Sequence, residues 1–335
     1  MSLFISLFMS FLMGSLGAFC VSRLGFKFGL CDRPTERSSH LVPTPKGGGI
    51  GIAGAFLFLS LSLNIPIFLW GPAILLSFLS LVGDKCEISP LIRLVFQFAA
   101  ALIVLVSFFL SSAQAFLHQL ATTFFNIPTL LVFAFLAVFV VGTANFYNFM
   151  DGINGIAGIT GVVAFGLLGG YAYFIGADRH FVQLSWGIAC ACAGFLPWNI
   201  PKAKVFMGDV GSILLGFVFA TLLVVISKDV HDFFVGMSFL FLFYADELFT
   251  MYERIKDGEK LTKPHRRHLY QILANEAGIP HWKISLGYGF CQLFCGIVIW
   301  IMRESSLVGI LSLLFLFFIL FGLVNNKVKC LFLTR

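Results

Sequence analysis

Five short polar segments interrupt an otherwise apolar chain, and their residue types suit phosphate and metal chemistry. The first runs from Asp32-Arg33-Pro34 through Arg37 and His40 to Thr44-Pro45-Lys46-Gly47-Gly48-Gly49. Glycines at a helix start let backbone N–H groups approach an anion, or simply make a flexible lead into the helix. The second is Gly83-Asp84-Lys85, with Arg93 just inside the following apolar run, where it can snorkel to the interface. In the third, Asn145, Asn148 and Asp151 follow an i, i+3, i+6 spacing that keeps two amides and a carboxylate near one helix face, and Asn154 comes next. That strip reads as a metal or nucleotide site, or as an interhelical hydrogen-bond seam. The fourth holds Asn199 and then Phe206-Met207-Gly208-Asp209-Val210-Gly211-Ser212. An Asp there suits Mg²⁺, which takes one or two carboxylates plus substrate phosphates, and it equally suits a helix N-cap. The fifth, Lys260-Leu261-Thr262-Lys263-Pro264-His265-Arg266-Arg267-His268-Leu269-Tyr270, offers donors matched to phosphate oxygens. Topology alone would call for Lys and Arg there, but not for His.

The elements that must position these groups are membrane helices. Of 335 residues, 59% are hydrophobic and 11% charged, against about half and about a quarter in soluble domains. Disorder, nucleic-acid binding and a soluble enzyme are therefore poor readings, and the bilayer is the expected partner. The sequence predicts an all-α polytopic fold of eleven spans: Leu3–Val21, Gly48–Leu63, Pro66–Val82, Leu91–Leu110, Thr129–Asn148, Gly155–Ile175, Phe181–Pro197, Gly211–Ile226, Phe233–Thr250, Ile284–Ile301 and Ser306–Leu323. The first has no basic leader or cleavage site and reads as a retained helix. With residues 23–47 placed inside, 19 of the 22 Lys and Arg fall on inside segments, leaving Arg179, Lys228 and Arg303 outside. The positive-inside rule then puts the N-terminus out, the C-terminus in and all five polar segments on the cytoplasmic side. None of the eight Cys falls in an outside loop, so disulfides are not expected.

Taken in order, DRPTERSSHLVPTPKGGGIGI, GDKCEISPLIR, NFYNFMDGINGIAG, WNIPKAKVFMGDVGS and KPHRRHLYQ resemble the motifs of the polyprenyl-phosphate N-acetylhexosamine-1-phosphate transferases. The resemblance runs from Asp32 to Gln271. It implies one membrane-embedded domain over residues 1–335, with a cytoplasmic site built from loops 23–48, 83–93, 145–155, 198–212 and 251–283. It also implies a bacterial inner-membrane enzyme that transfers a sugar-1-phosphate from a UDP-N-acetylhexosamine to undecaprenyl phosphate, releases UMP and requires Mg²⁺ or Mn²⁺. By resemblance Asp84, Asp151, Asp209, His265 and His268 are catalytic, with Asp209 and Asp151 on the metal. Arg93, Arg266, Arg267 and Lys46 meet phosphates, and Asn148, Asn154, Asn199 and Phe206 meet the nucleotide.

Two positions depart from the family pattern. Gly83 stands where relatives carry the first of two adjacent Asp, and Asn154 stands where many carry Asp. The loop lacks the run of three His found in the peptidoglycan branch, which favours the O-antigen and capsule-initiating branch. A peptidoglycan-type pentapeptide transferase, a secondary transporter and an inactive family member are the alternatives, and a homodimer is compatible with the sequence.

Overall fold

A computed structural model describes residues 2–34, 39, 42–83, 88–111, 129–260 and 265–333. The described chain is almost entirely helical, and a helix stands at each of the eleven predicted spans. In chain order these are α1 Leu3–Leu24, α2 Ile50–Ser62, α3 Ile67–Gly83, α4 Pro90–Ser111, α5 Thr129–Phe149, α6 Ile156–Phe174, α7 Arg179–Asn199 and α8 Asp209–Ile226. They continue with α9 Val230–Met237, α10 Phe241–Lys256, the short α11 Leu269–Asn275, α12 His281–Ile301 and α13 Leu307–Leu333. Among the described residues nine helical stretches are long and apolar enough to cross a bilayer, and α2 and α3 are shorter apolar helices. The expected break between α2 and α3 is present: Asn64 adopts φ 52°, a left-handed conformation that Asn tolerates better than most residues.

The span expected over Phe233–Thr250 is a bent pair, with a 3₁₀ turn at Ser238–Leu240 joining α9 to α10. A bend inside a bilayer releases backbone groups that need partners. Gln292 of α12, itself buried, supplies them. Its amide donates to the Ser238 carbonyl at 2.7 Å, and its side-chain oxygen accepts from the Leu242 N–H at 2.9 Å.

The core centres on α8, which is enclosed by its neighbours: 89% of its span is buried, against 22% for α13. Its enclosure needs close backbone approach. A Cβ on Gly49, at the head of α2, would lie 2.4 Å from the Gly211 Cα of α8. The same glycine run feeds a hydrogen-bonded seam. Gly47 and Gly48 donate to the Phe206 carbonyl at 3.1 and 2.9 Å, and Gly49 donates to the Met207 carbonyl at 2.9 Å. These N–H groups are therefore spent on the segment leading into α8 rather than turned toward an anion. A small antiparallel pair, β1 Cys31–Asp32 with β2 Thr44–Pro45, lies beside this seam.

The opposite end of the molecule is tied by buried Asp232, which accepts from Tyr171 Oη at 2.6 Å, the Lys228 N–H at 3.0 Å and Arg303 Nε at 3.2 Å.

Gly49→Ala forces α2 off α8, and such overpacking typically costs about 1–3 kcal/mol. Gly166→Ala, with open space around its added Cβ, is expected to leave thermal unfolding in detergent unchanged or raise it slightly. Equal melting temperatures for the two variants would contradict the packing account.

Candidate active site

Asp209 is the first residue of α8, and both of its carboxylate oxygens are engaged. Arg93 Nη1 of α4 donates to Oδ2 at 2.7 Å, and Asn148 Nδ2 of α5 donates to Oδ1 at 3.0 Å. Asn148 Nδ2 also lies 2.9 Å from Ser212 Oγ, one turn along α8. Arg93 Nη2 donates to the Gly83 carbonyl at the end of α3, at 3.2 Å. Four helix ends thus converge on one carboxylate.

The segment between α5 and α6 is held from two sides. Asn199, nearly buried, accepts from the Gly155 N–H at 2.5 Å and donates to the Val205 carbonyl at 2.9 Å. Ser285 of α12 donates to the Asn154 carbonyl at 2.8 Å, and His281 Nδ1 accepts from the Asn154 N–H at 3.4 Å. These clasps hold the turn that carries Asp151 and Asn154 into the same cleft as Asp209. Together with Asp32, Lys46, Asn148, Asn199, Phe206, Gln271 and His281 they line a polar cleft of about 310 Å³.

An apolar groove of about 710 Å³ runs between α3, α4 and α5, and Asn148 lines both it and the cleft. Arg93 stands at the groove's polar end beside Asn148, while Val138 and Val141 of α5 line its wall. Ten residues from Asn148 to Val138 carry the groove about 15 Å along the helix. One turn past Arg93, Gln97 accepts from Asn145 Nδ2 at 2.7 Å, a polar step between α4 and α5. A second apolar groove, of about 520 Å³, is bounded by α10–α13 and shares no lining residue with the cleft.

His268 does not reach the cleft. It is 2% exposed, its Nδ1 is 3.4 Å from Asp246 Oδ1, and its Nε2 is 3.3 Å from Glu247 Oε2. Asp246 also accepts from Tyr288 Oη at 2.6 Å and the Leu269 N–H at 3.0 Å. The neighbouring Tyr270 donates to the Phe149 carbonyl at 3.0 Å. This buried network pins α11 beneath the end of α5, and so sets where Gln271 meets the cleft. Arg267 is paired with Glu259 and Asp257, at 2.9 and 2.5 Å. Neither Arg266 nor His265 lines the cleft.

Of the residues singled out in the sequence, the cleft brings together Lys46, Asn148, Asp151, Asn154, Asn199, Phe206 and Asp209, with Arg93 adjoining through Asp209. Asp84 lies outside the described residues. His281 and Gln271 are additions. The signal for His281 is a polar residue opening an apolar helix directly after Pro280, in the longest inside loop.

Burial chiefly, with the neighbouring His268 and Arg254, lowers the His265 imidazole from 6.5 to about 4. The ring is thus neutral at pH 7 and brings no positive charge to a phosphate. Because the folded-state value is depressed, its contribution to stability is full above pH 6.5 and falls as the pH drops toward 4. Histidine-selective NMR, assigned with His265→Gln, is expected to show no titration of this ring above pH 5.5. A midpoint near 6.5 would contradict the environment described.

Comparisons with known proteins give the family. A sequence profile described as glycosyl transferase family 4 matches residues 66–227, which span Gly83, Arg93, Asn148, Asp151, Asn199 and Asp209. The undecaprenyl-phosphate alpha-N-acetylglucosaminyl 1-phosphate transferase of Thermotoga maritima is 30% identical over 258 residues, 76% of each chain. The decaprenyl-phosphate N-acetylglucosaminephosphotransferase of Mycobacterium tuberculosis is 25% identical over 312 residues, 83% of this chain and 76% of that protein. A phospho-N-acetylmuramoyl-pentapeptide-transferase of Staphylococcus saprophyticus is 29% identical over 220 residues, 60% of this chain and 65% of the relative. The motifs, the membrane-helical fold and these matches together show that the chain belongs to glycosyl transferase family 4, the polyprenyl-phosphate N-acetylhexosamine-1-phosphate transferases.

Proposed function

We propose that the protein transfers an N-acetylhexosamine-1-phosphate from a UDP-sugar to undecaprenyl phosphate at the cytoplasmic face of a bacterial membrane, and so starts a surface glycan. The observation that carries this reading is the meeting of two cavities of opposite chemistry at Asn148, with Arg93 and Asp209 at the junction. A polar cleft suits a nucleotide sugar and an apolar groove suits a polyprenyl chain, so the two substrates would meet there. The charge bias of the loops supports the cytoplasmic side.

The bond changes are simple. An oxygen of the lipid phosphate attacks the β-phosphorus of the donor, the bond from that phosphorus to the bridging oxygen breaks, and the bridging oxygen leaves with UMP. Catalysis of such a step is mostly positioning and charge stabilisation. Phe206 offers a ring face for uracil, and Asn154 lines the same cleft. Lys46 faces the same space as a cation for the diphosphate. Arg93 meets the acceptor phosphate at the polar end of its groove. The second ionisation of a phosphate monoester falls near 6, so the acceptor is largely dianionic at pH 7 and can attack without the carboxylate that Gly83 lacks.

Asp209 and Asp151 line one cleft and offer only oxygen donors, with no group of three His, Cys, Asp or Glu converging among the described residues. That donor set fits Mg²⁺ or Mn²⁺ completed by substrate phosphates, and the ion would neutralise charge on the diphosphate. The PHRRHLYQ form of the loop favours a GlcNAc-, GalNAc- or 6-deoxy-N-acetylhexosamine-1-phosphate donor of the O-antigen type over a muramoyl-pentapeptide.

Purified protein in detergent is expected to release UMP from UDP-N-acetylhexosamines only when undecaprenyl phosphate and Mg²⁺ are both present. Asp209→Asn should lower the rate by about a hundredfold or more, the scale of losing one charge-stabilising group. Release without lipid, or an Asp209→Asn variant at the wild-type rate, would overturn the assignment. A transporter would show no turnover without a sealed compartment.

A further inference from the structure

Among the described residues, Arg93 links the two cavities by charge: it lines the groove, and its ion-pair partner lines the cleft. The pair is not sealed. The Arg93 and Asp209 side chains are 34% and 28% exposed, so either can be met by a ligand. Its geometry also depends on residue 83. A Cβ there would stand 2.9 Å from Arg93 Nη2 and 3.2 Å from Cζ. Glycine at this position, where the resemblance places the family's first Asp, therefore leaves the guanidinium uncrowded as it lies on the 83 carbonyl and reaches Asp209.

We propose that Arg93 is an exchangeable counterion that couples binding of the acceptor phosphate to binding of a divalent cation. The proposal rests on the transferase reading above. With neither ligand present, Arg93 neutralises Asp209. A phosphate arriving along the groove competes for the guanidinium, whose planar fork suits phosphate as well as carboxylate. A divalent cation in the cleft competes for the carboxylate. Each ligand removes the other's competitor, so each strengthens the other's binding, and linkage makes the two effects equal. The exchange is inexpensive because a part-exposed ion pair contributes little by itself. No covalent bond is made or broken in it. Gly83 serves the exchange by leaving the guanidinium free to swing between the carboxylate on one side and the groove on the other.

The test is Mn²⁺ binding by the full chain in nanodiscs, read by electron paramagnetic resonance without any UDP-sugar. Undecaprenyl phosphate should tighten Mn²⁺ binding about fivefold or more, the usual lower range of such couplings, and neutral undecaprenol should not. Arg93→Met should bind Mn²⁺ more tightly than wild type in the absence of lipid, and lipid phosphate should add nothing further. Gly83→Ala keeps the charge, crowds the guanidinium and suits the end of a helix, so it should show a reduced coupling in a stably folded protein. Equal Mn²⁺ affinity with and without the lipid phosphate in wild type would overturn the proposal. So would a lipid effect that survives intact in Arg93→Met, which would mean that the phosphate touches the cation directly. Lipid-dependent UMP release by the wild type is scored separately: its loss removes the transferase reading, whereas its persistence beside a failed Mn²⁺ test removes only the coupling.

Discussion

A carboxylate at the edge of a bilayer is costly unless it is met by donors, and Asp209 is met by Arg93 from α4 and Asn148 from α5. The rest of the fold follows from that convergence. Helices can present polar groups at this level only at their ends, because their flanks face lipid or other helices. So α3 and α5 finish here, while α4 and α8 begin here. The tight glycine contact of α2 on α8 and the clasp of Asn199 around the α5–α6 turn bring the remaining groups into the same plane. At the far end, the Tyr171, Lys228 and Arg303 contacts to Asp232 join the α8–α9 junction to α6 and to the end of α12. The molecule is pinned at both membrane faces, and between them polar pairing is confined to sites such as the Gln292 contacts at the α9–α10 bend.

The division of labour among charged residues follows burial. Groups that face the cleft or groove are partly open and can exchange partners. Asp246, Glu247, His268 and Arg254 are almost fully enclosed, and their contacts fix the loop in place. A buried cluster of this kind is strongly destabilised by loss of one member, since the others are left uncompensated. His268 therefore acts on the site by holding α11, not by touching phosphate in this arrangement. The short segment after it places Tyr270 on the Phe149 carbonyl and Gln271 at the cleft.

Much of this was legible in the chain. Long, mostly apolar runs mark each span, and the Asn64–Pro66 break was readable from turn chemistry. Most of the cleft residues, His281 and Gln271 apart, were readable because amides and acids seldom persist at span ends without a use. What escaped has physical reasons. The bend between α9 and α10 leaves no local mark, because the residue that satisfies it, Gln292, lies fifty positions on and looks like an ordinary polar intrusion. The glycines at 47–49 carry the same letters whether they cradle an anion or pack against α8, and only tertiary contact decides. His268 is indistinguishable in sequence from an exposed loop histidine, since its partners Asp246 and Glu247 lie on another helix. Gly83 read as a missing acid, yet in the fold it is space taken up by Arg93.

In the proposed reaction the lipid substrate reaches Asp209 along the groove between α4 and α5. The most direct measurement is photo-crosslinking in membranes with a diazirine-bearing undecaprenyl phosphate analogue, mapped by mass spectrometry. Adducts are expected on groove residues such as Leu94, Val138 and Val141, competed away by unlabelled undecaprenyl phosphate. Competed adducts confined to the other apolar groove, at Phe294 and Phe317, would contradict it.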